Sequence, residues 1–558
     1  MNIYQTNINT IVATLYAKGL RRAVICPGSR NAPLVMAFAR FGKIKCTSVA
    51  DERSAAFIAL GMAKQLQEPV AVVCTSGSAA LNLYPAISEA YYMQIPLIAI
   101  TADRPIEMLD RWDGQTIHQK DVFEPHVLAS LQTPEAIDGD QIEIISKLTI
   151  NLYDVCNGLL KGPVHLNVPL MEPLYSAANQ TFKYPNISII NTQLEADEDW
   201  EIAIDKDHFF KDYPKVMVLH GTNQSDVSSI ELKALSENPF VVSISDVVSN
   251  KHQFQSIQNW EGVLLNASKE IQHELVPDLL ITTGKMVLNK TIKTLFRKHP
   301  PKRHWHIAEN GYCADTFFTE PEVLSLSPSQ FFKQFNAFLP DGRSAYHQLY
   351  TNLSHQQIEL GDTIIDQNYN EFLMVKLTLD ALPENIVLHL ANSMSIRYVA
   401  YLGSHLKNTW EVYSNRGVSG IDGCTSTAVG AAMSDSRTHV LITGDIAFFY
   451  DINALWQTQM PSNFKLVLMN NFGGGIFKNI EGPAGIPELN PFIATPHSMD
   501  AKLLAEHFKL SYFKVVNLME LSPALAAWIA SDEAAILEIQ TDSNINSDIF
   551  NQYKQQIL

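Results

Sequence analysis

The chain has 558 residues, too many for one hydrophobic core, and length alone suggests about three or four domains. Its 46% hydrophobic and 18% charged composition is that of an ordinary globular protein, and a net charge of −17 argues against a body that binds nucleic acid. No apolar run approaches the roughly 18 residues of a membrane span. The opening "MNIYQTNINTIVATLYAKGLRRAVIC" lacks the pattern of a signal peptide, so a cytoplasmic protein is expected. Cys26, Cys46, Cys74, Cys156, Cys313 and Cys424 are scattered, with no C-x-x-C pair, and read as reduced buried thiols.

Apolar strands alternate with helical patterns almost throughout, which predicts parallel α/β sheets. In the first third, "RAVIC", "KCTSVA", "VAVVC" and "PLIAITA" each end in a small or polar cluster that is expected to open a helix. Ligands of such sheets sit at the carboxyl ends of the strands. The polar stretch from about Met171 to Trp200 reads as a linker. The middle third carries the strands "KVMVLH", "PFVVSIS", "DLLITT" and "HWHIAE". A second polar region, about Leu339 to Gln367, leads to "NIVLHLA", "EVYSN", "THVLITG", "FKLVLMN" and "AAILEIQT". Three parallel-sheet α/β domains are expected, at 1–180, 195–340 and 360–558.

The strand "THVLITG" stops at Gly444-Asp445, "AFFYDINALWQTQM" has helical spacing, and "FKLVLMN" stops at Asn470-Asn471. Strand–helix–strand places Asp445 and Asn471 at one edge of neighbouring strands. The glycines that follow let the backbone turn and expose a carbonyl, most simply that of Gly473. A carboxylate, an amide oxygen and a carbonyl are hard ligands suited to Mg²⁺ bridging a diphosphate. Read without that partnership, the same residues are polar strand ends and a glycine turn.

This segment resembles the fingerprint of thiamine-diphosphate (ThDP) enzymes, in which Gly-Asp is followed at such a distance by Asn-Asn. The resemblance implies that Asp445, Asn471 and the Gly473 carbonyl hold Mg²⁺, or Mn²⁺ in its place. Ile446 replaces the family's usual third glycine and touches no ligand position. The family also needs a glutamate on N1′ of the aminopyrimidine. "SVADERSAAFIALGMA" supplies Glu52 at a strand end; taken alone, it is a first-turn acid favoured by the helix dipole. Ile421, in "GVSGIDG", aligns with the apolar wedge that bends the cofactor.

No His-His pair of the decarboxylase branch occurs in the chain. Arginines instead follow several strands: Arg30 beside Ser29 in "CPGSRNAPL", Arg104 in "TADRPIE", Arg397 beside Ser393 in "NSMSIR", and Arg416 in "YSNRGVSGIDG". Each alone reads as a salt bridge; together they suit substrates with several carboxylates. "PGSRNAPL", "DERSAAF", "TSGSAALNLYPA", "TADRP", "YSNRGVSGIDG" and "GDIAFFYDINAL…NNFGGGIF" closely resemble the SEPHCHC synthase family of menaquinone biosynthesis. That resemblance implies decarboxylation of 2-oxoglutarate and addition of its succinyl semialdehyde carbanion to isochorismate. It assigns Ser393, Arg397 and Arg416 to the oxoglutarate-derived part. Ser29, Arg30, Arg104 and Lys290 fall to isochorismate, and Gln115 to the reacting adduct. Ile476 and Phe477 would wall the pocket, their plainer reading being core residues after a turn. It also implies a homodimer or a dimer of dimers.

Two positions depart from the family: Gly114-Gln115 where Asn-Gln is usual, and Lys290-Thr291 where Lys-Arg is usual. One rival is another ThDP carboligase such as acetolactate synthase, whose middle domain holds FAD; no G-x-G-x-x-G follows a strand here. A non-catalytic regulator that binds ThDP is the other, and Glu52 speaks against it, since binding alone needs no proton relay.

Overall fold

The computed structural model describes residues 3–135, 141–177, 180–187, 206–222, 229–480 and 482–556. Of the stretch read as a linker, residues 178–179 and 188–200 lie outside these. The strands form three sheets whose pairings are parallel, as the alternation predicted. The first contains β1 (Arg22–Ile25), β2 (Lys45–Ser48), β3 (Val70–Cys74), β4 (Leu97–Asp103), β5 (Ala129–Gln132) and β6 (Val164–Pro169), in the order β2-β1-β3-β4-β6-β5. The second contains β7 (Val216–His220), β8 (Val241–Ser245), β9 (Leu279–Thr283), β10 (Arg303–Ile307) and β11 (Glu322–Leu324), in the order β11-β10-β9-β7-β8. The third contains β12 (Val387–Leu390), β13 (Glu411–Tyr413), β14 (His439–Gly444), β15 (Phe464–Asn470), β16 (Ser511–Val515) and β17 (Ala535–Gln540), in the order β13-β12-β14-β15-β17-β16.

In each sheet the chain starts inside, steps to one side, then returns past its first strand. That reversal opens a crevice at the carboxyl ends of β1/β3, β7/β9 and β12/β14. Unbroken apolar strands arise because helices cover both faces. In the central sheet Met217 and Leu219 enter one core, while Val216 and Val218 enter the other. The core of the third sheet gathers Leu388, Leu390, Val440, Ile442, Val467 and Met469 with Phe372 and Tyr398.

The chain divides into two compact units. One joins the N-terminal region to segments 415–439 and 447–464; the other joins the central region to 440–446 and 465–558.

Three expectations need correction. The region 339–367 is largely a helix, Ala345–Ile365, capped by Ser344. Its buried face is a narrow stripe including Tyr346, Tyr350, Leu353, Gln357, Gly361 and Ile365, so its average composition looks like a polar connection. The segment after β14 is shorter than its spacing suggested: a helix Asp445–Tyr450, then a 3₁₀ turn Ile452–Leu455. All six cysteines are free, but Cys46 is exposed on the edge strand β2 and Cys313 is half-buried. No helix among the described residues is long and apolar enough to cross a membrane.

Candidate active site

β14 and β15 are neighbours, so Asp445 and Asn471 emerge at one edge of the third sheet, as expected. Asp445 is 2% exposed and accepts the N–H groups of Ile446 at 2.7 Å and Gly473 at 2.9 Å. His497 Nε2 lies 3.3 Å from its Oδ2. Met499 N–H donates to His497 Nδ1 at 3.1 Å, which orients the ring with Nε2 on the side of the carboxylate. Burial pushes the Asp445 pKa up, while the Gly473 and Ile446 N–H groups and His497 pull against it.

Asn471 donates through Nδ2 to Glu371 Oε2 at 2.8 Å, and its Oδ1 is buried with no hydrogen-bond partner. A buried amide oxygen left without a donor is costly, and at this sheet edge, beside Asp445 and Gly473, it fits a cation ligand. The Gly473 carbonyl accepts Gly475 N–H at 2.9 Å and keeps a second lone pair. Carboxylate, amide oxygen and carbonyl therefore fit a hard divalent cation. Glu371 was not singled out by sequence. It is fully buried, and its pKa is pushed up to about 7 by burial, with the Asn471 bond opposing and the Asp445 charge adding.

After β12, Ser393 takes φ 81° and ψ −132°, a conformation that ordinary side chains rarely adopt. Arg397, one turn into the helix Met394–Tyr401, donates to the Ser393 carbonyl at 2.5 Å. Ile476 and Phe477 lie in the 3₁₀ turn Gly475–Asn479; both are half-buried, and Ile476 packs against the third core, so its plainer reading holds at least in part. Lys290 is exposed at the start of the helix Lys290–Lys298 beside the central sheet.

In the other unit, Glu52 is the first residue of the helix Glu52–Leu66, capped by Asp51. Burial raises its pKa, as does the Asp51 charge, while a backbone hydrogen bond lowers it. This helix crosses Cys424–Ala432 so closely that a Cβ on Gly61 would sit 2.0 Å from the Thr427 carbonyl, and one on Gly430 2.1 Å from that of Ile58. Two glycines thus fix the helix that carries Glu52 against the one that follows Ile421, which is half-buried. Glu89, on the helix Tyr84–Met93, accepts the N–H groups of Gly417 at 2.7 Å and Val418 at 2.8 Å. It holds the loop between Arg416 and Ile421. Sequence reasoning missed it, and its one signal was an acid inside a helix of mostly apolar and aromatic residues.

Arg30 is 5% exposed and donates to the Leu170 carbonyl at 2.8 Å and Glu172 at 3.4 Å, while Ser29 beside it is exposed. Arg104 donates to the Gly114 carbonyl at 2.7 Å, next to Gln115, which is exposed with φ 58°. The structure thus brings together Asp445, Asn471 and Gly473, pairs Ser393 with Arg397, and joins Arg104 to the loop of Gln115.

Two regions of the chain match known protein families. Residues 6–123 match the family described as "Thiamine pyrophosphate enzyme, N-terminal TPP binding domain", and residues 398–539 match "Thiamine pyrophosphate enzyme, C-terminal TPP binding domain". The first span contains Glu52 and the second Ile421, Asp445, Asn471 and Gly473. Fold and motif thus define a thiamine-diphosphate enzyme. A protein of Flavobacterium johnsoniae named 2-succinyl-5-enolpyruvyl-6-hydroxy-3-cyclohexene-1-carboxylate synthase is 38% identical over 98% of both chains. Those of the same name from Cytophaga hutchinsonii (38% identical, 99% of this chain and 98% of the relative) and Phocaeicola vulgatus (35%, 98% and 97%) are similarly close. The chain belongs to the family of these synthases.

Proposed function

We propose that this chain decarboxylates 2-oxoglutarate and joins the remaining succinyl semialdehyde unit to isochorismate. The product would be 2-succinyl-5-enolpyruvyl-6-hydroxy-3-cyclohexene-1-carboxylate (SEPHCHC), an intermediate of menaquinone biosynthesis. The observation that carries this reading is similarity over nearly the whole chain to synthases named for that product. When bound, ThDP supplies the electron sink that lets a 2-oxo acid lose CO₂.

The chain's own residues bind and orient. Glu52 would hold the aminopyrimidine of ThDP and carry the proton moved at N1′, and burial that raises its pKa favours that role. Ile421 would pack against the cofactor as an apolar wedge. Asp445, Asn471 Oδ1 and the Gly473 carbonyl would hold Mg²⁺, or Mn²⁺ in its place, and that cation would bind the diphosphate. Support for this ligand set is the buried Asn471 oxygen that no donor reaches. Ser393, Arg397 and Arg416 grip the carboxylates of 2-oxoglutarate. Ser29, Arg30, Arg104 and Lys290 receive isochorismate, Gln115 touches the adduct, and Ile476 and Phe477 wall the pocket. We read the three domains as pyrimidine-binding (1–180), central (195–340) and diphosphate-binding (360–558), working in the cytoplasm.

The decisive experiment mixes protein, ThDP, Mg²⁺ and 2-oxoglutarate with and without isochorismate and follows the adduct by mass spectrometry. SEPHCHC only in the complete mixture supports the reading; no adduct there, or acetolactate formed when pyruvate replaces 2-oxoglutarate, overturns it. The reading includes a homodimer or a dimer of dimers. Light scattering of the active enzyme should then exceed the 62.3 kDa of one chain. Full activity at that mass contradicts this part.

A further inference from the structure

Glu371 opens the helix Glu371–Ala381, which is capped by Asn370 and anchored in the third core through Phe372, Leu373, Met374 and Val375. Its carboxylate, 2% exposed, accepts from Asn471 Nδ2 at 2.8 Å and from Asn546 Nδ2 at 3.1 Å. Asn546 Oδ1 in turn accepts the Glu371 backbone N–H at 2.8 Å, and Asn546 Nδ2 also donates to Thr541 at 2.8 Å. Asn546 thus holds both the backbone N–H and the carboxylate of Glu371, which orients that carboxylate before it meets Asn471.

The Nδ2 groups of Asn471 and Asn546 converge on one carboxylate oxygen, Oε2, so the face of Asn471 that meets Glu371 is its NH₂ group. Rotating that amide by half a turn would press its oxygen against a carboxylate oxygen. Its Oδ1 is thereby committed to the opposite side, where it is buried without a partner. We propose that Glu371 is a positioning residue of the metal centre, fixing the Asn471 oxygen toward the divalent cation. This rests on the reading of Asn471 as a ligand. Carboxylates behind metal-bound ligands act in the same way, and their loss typically weakens metal binding roughly 10- to 100-fold.

The test measures Mn²⁺ affinity by electron paramagnetic resonance on ThDP-saturated protein, with thermal melting of each variant. Glu371→Leu should weaken Mn²⁺ binding by roughly 10- to 100-fold. Asn471→Asp alone sets two carboxylates face to face and should weaken it by at least about tenfold. Adding Glu371→Gln to Asn471→Asp exchanges donor and acceptor across the contact, so the double variant should bind Mn²⁺ several-fold more tightly than Asn471→Asp alone. A merely structural Glu371 predicts no such recovery. The exchange pair keeps the test alive if Glu371→Leu does not fold. Wild-type affinity in Glu371→Leu, or no recovery in the double variant, overturns the proposal. Asn471→Ala separates the two layers. If it leaves Mn²⁺ affinity intact, Asn471 is no ligand and both readings fall. If it abolishes binding while the Glu371 variants do not matter, only the positioning role falls.

Discussion

The central and third sheets share one topology and treat its crevice in opposite ways. Between β7 and β9 the loops knit to each other: Gly221 N–H donates to the Thr283 carbonyl at 2.9 Å, Thr222 N–H to Met286 at 2.8 Å, and Lys285 N–H to Thr222 at 2.7 Å. His220 Nδ1 and Thr283 Oγ1, 2.9 Å apart, seal the floor. Around β12, β14 and β15, the loops instead present a strained Ser393 and a buried acceptor, Asn471 Oδ1, with no donor, whereas the central crevice's buried atoms without a partner are a ring nitrogen and a hydroxyl, His220 Nε2 and Thr222 Oγ1. The chain reversal supplies a crevice in both sheets; loop chemistry decides whether backbone fills it or a ligand is invited.

The largest effect should come from a residue that separates binding from turnover. Glu52→Gln should lower turnover by roughly 10²- to 10⁴-fold while ThDP–Mg²⁺ affinity, assigned to the third-sheet edge, stays within a few-fold. Steady-state kinetics beside calorimetric titration checks this, and near-normal turnover would remove Glu52 from catalysis. Asp445→Ala attacks the third crevice itself and should weaken ThDP binding at limiting Mg²⁺ by about 100-fold; unchanged affinity would erase the contrast between the sheets. Arg397→Ala should raise KM for 2-oxoglutarate by roughly tenfold, the loss of one or two charge-assisted hydrogen bonds, with cofactor affinity unchanged. Smallest is the central counterpart. Gly284, at φ +76°, has no room for a Cβ, which would sit 2.7 Å from the Thr222 carbonyl. Gly284→Ala should lower stability by roughly 1–3 kcal/mol in a thermal melt and leave cofactor affinity per folded molecule untouched. Loss of ThDP binding there would mean the central crevice is not merely structural.

What could be read from the sequence was whatever local pattern encodes. Long apolar strands such as "VAVVC" and "FKLVLMN" announce themselves, and Asp445 and Asn471 follow from where two of them stop. β6 did not, because "VHLNVP" carries buried polar residues. His165 meets Thr101 at 2.7 Å, and Asn167 is bound by Thr101, Asp103, Gln119 and Gln132. Those partners are supplied by other strands and loops, so no local period reveals them. β5, β11 and β16 are sheet edges, short or half-exposed, with little hydrophobic signal. Glu89 and Glu371 escaped for the same reason as β6. Each acts on a loop or side chain that only tertiary packing brings near: Glu371 lies 100 positions from Asn471, and Glu89 lies 328 from Gly417. The arginines were visible as charges after strands, but their bonds to Leu170, Gly114 and Ser393 carbonyls were not.

The claim on which the rest depends is that the edge carrying Asp445, Asn471 and Gly473 grips a diphosphate through a cation. Crystals grown with ThDP and Mn²⁺, measured at the manganese absorption edge, locate that ion directly. The account predicts one anomalous peak about 2.0–2.3 Å from an Asp445 carboxylate oxygen, Asn471 Oδ1 and the Gly473 carbonyl, with phosphate oxygens on its other side. A peak elsewhere, with the Asn471 oxygen still turned toward protein, would contradict it.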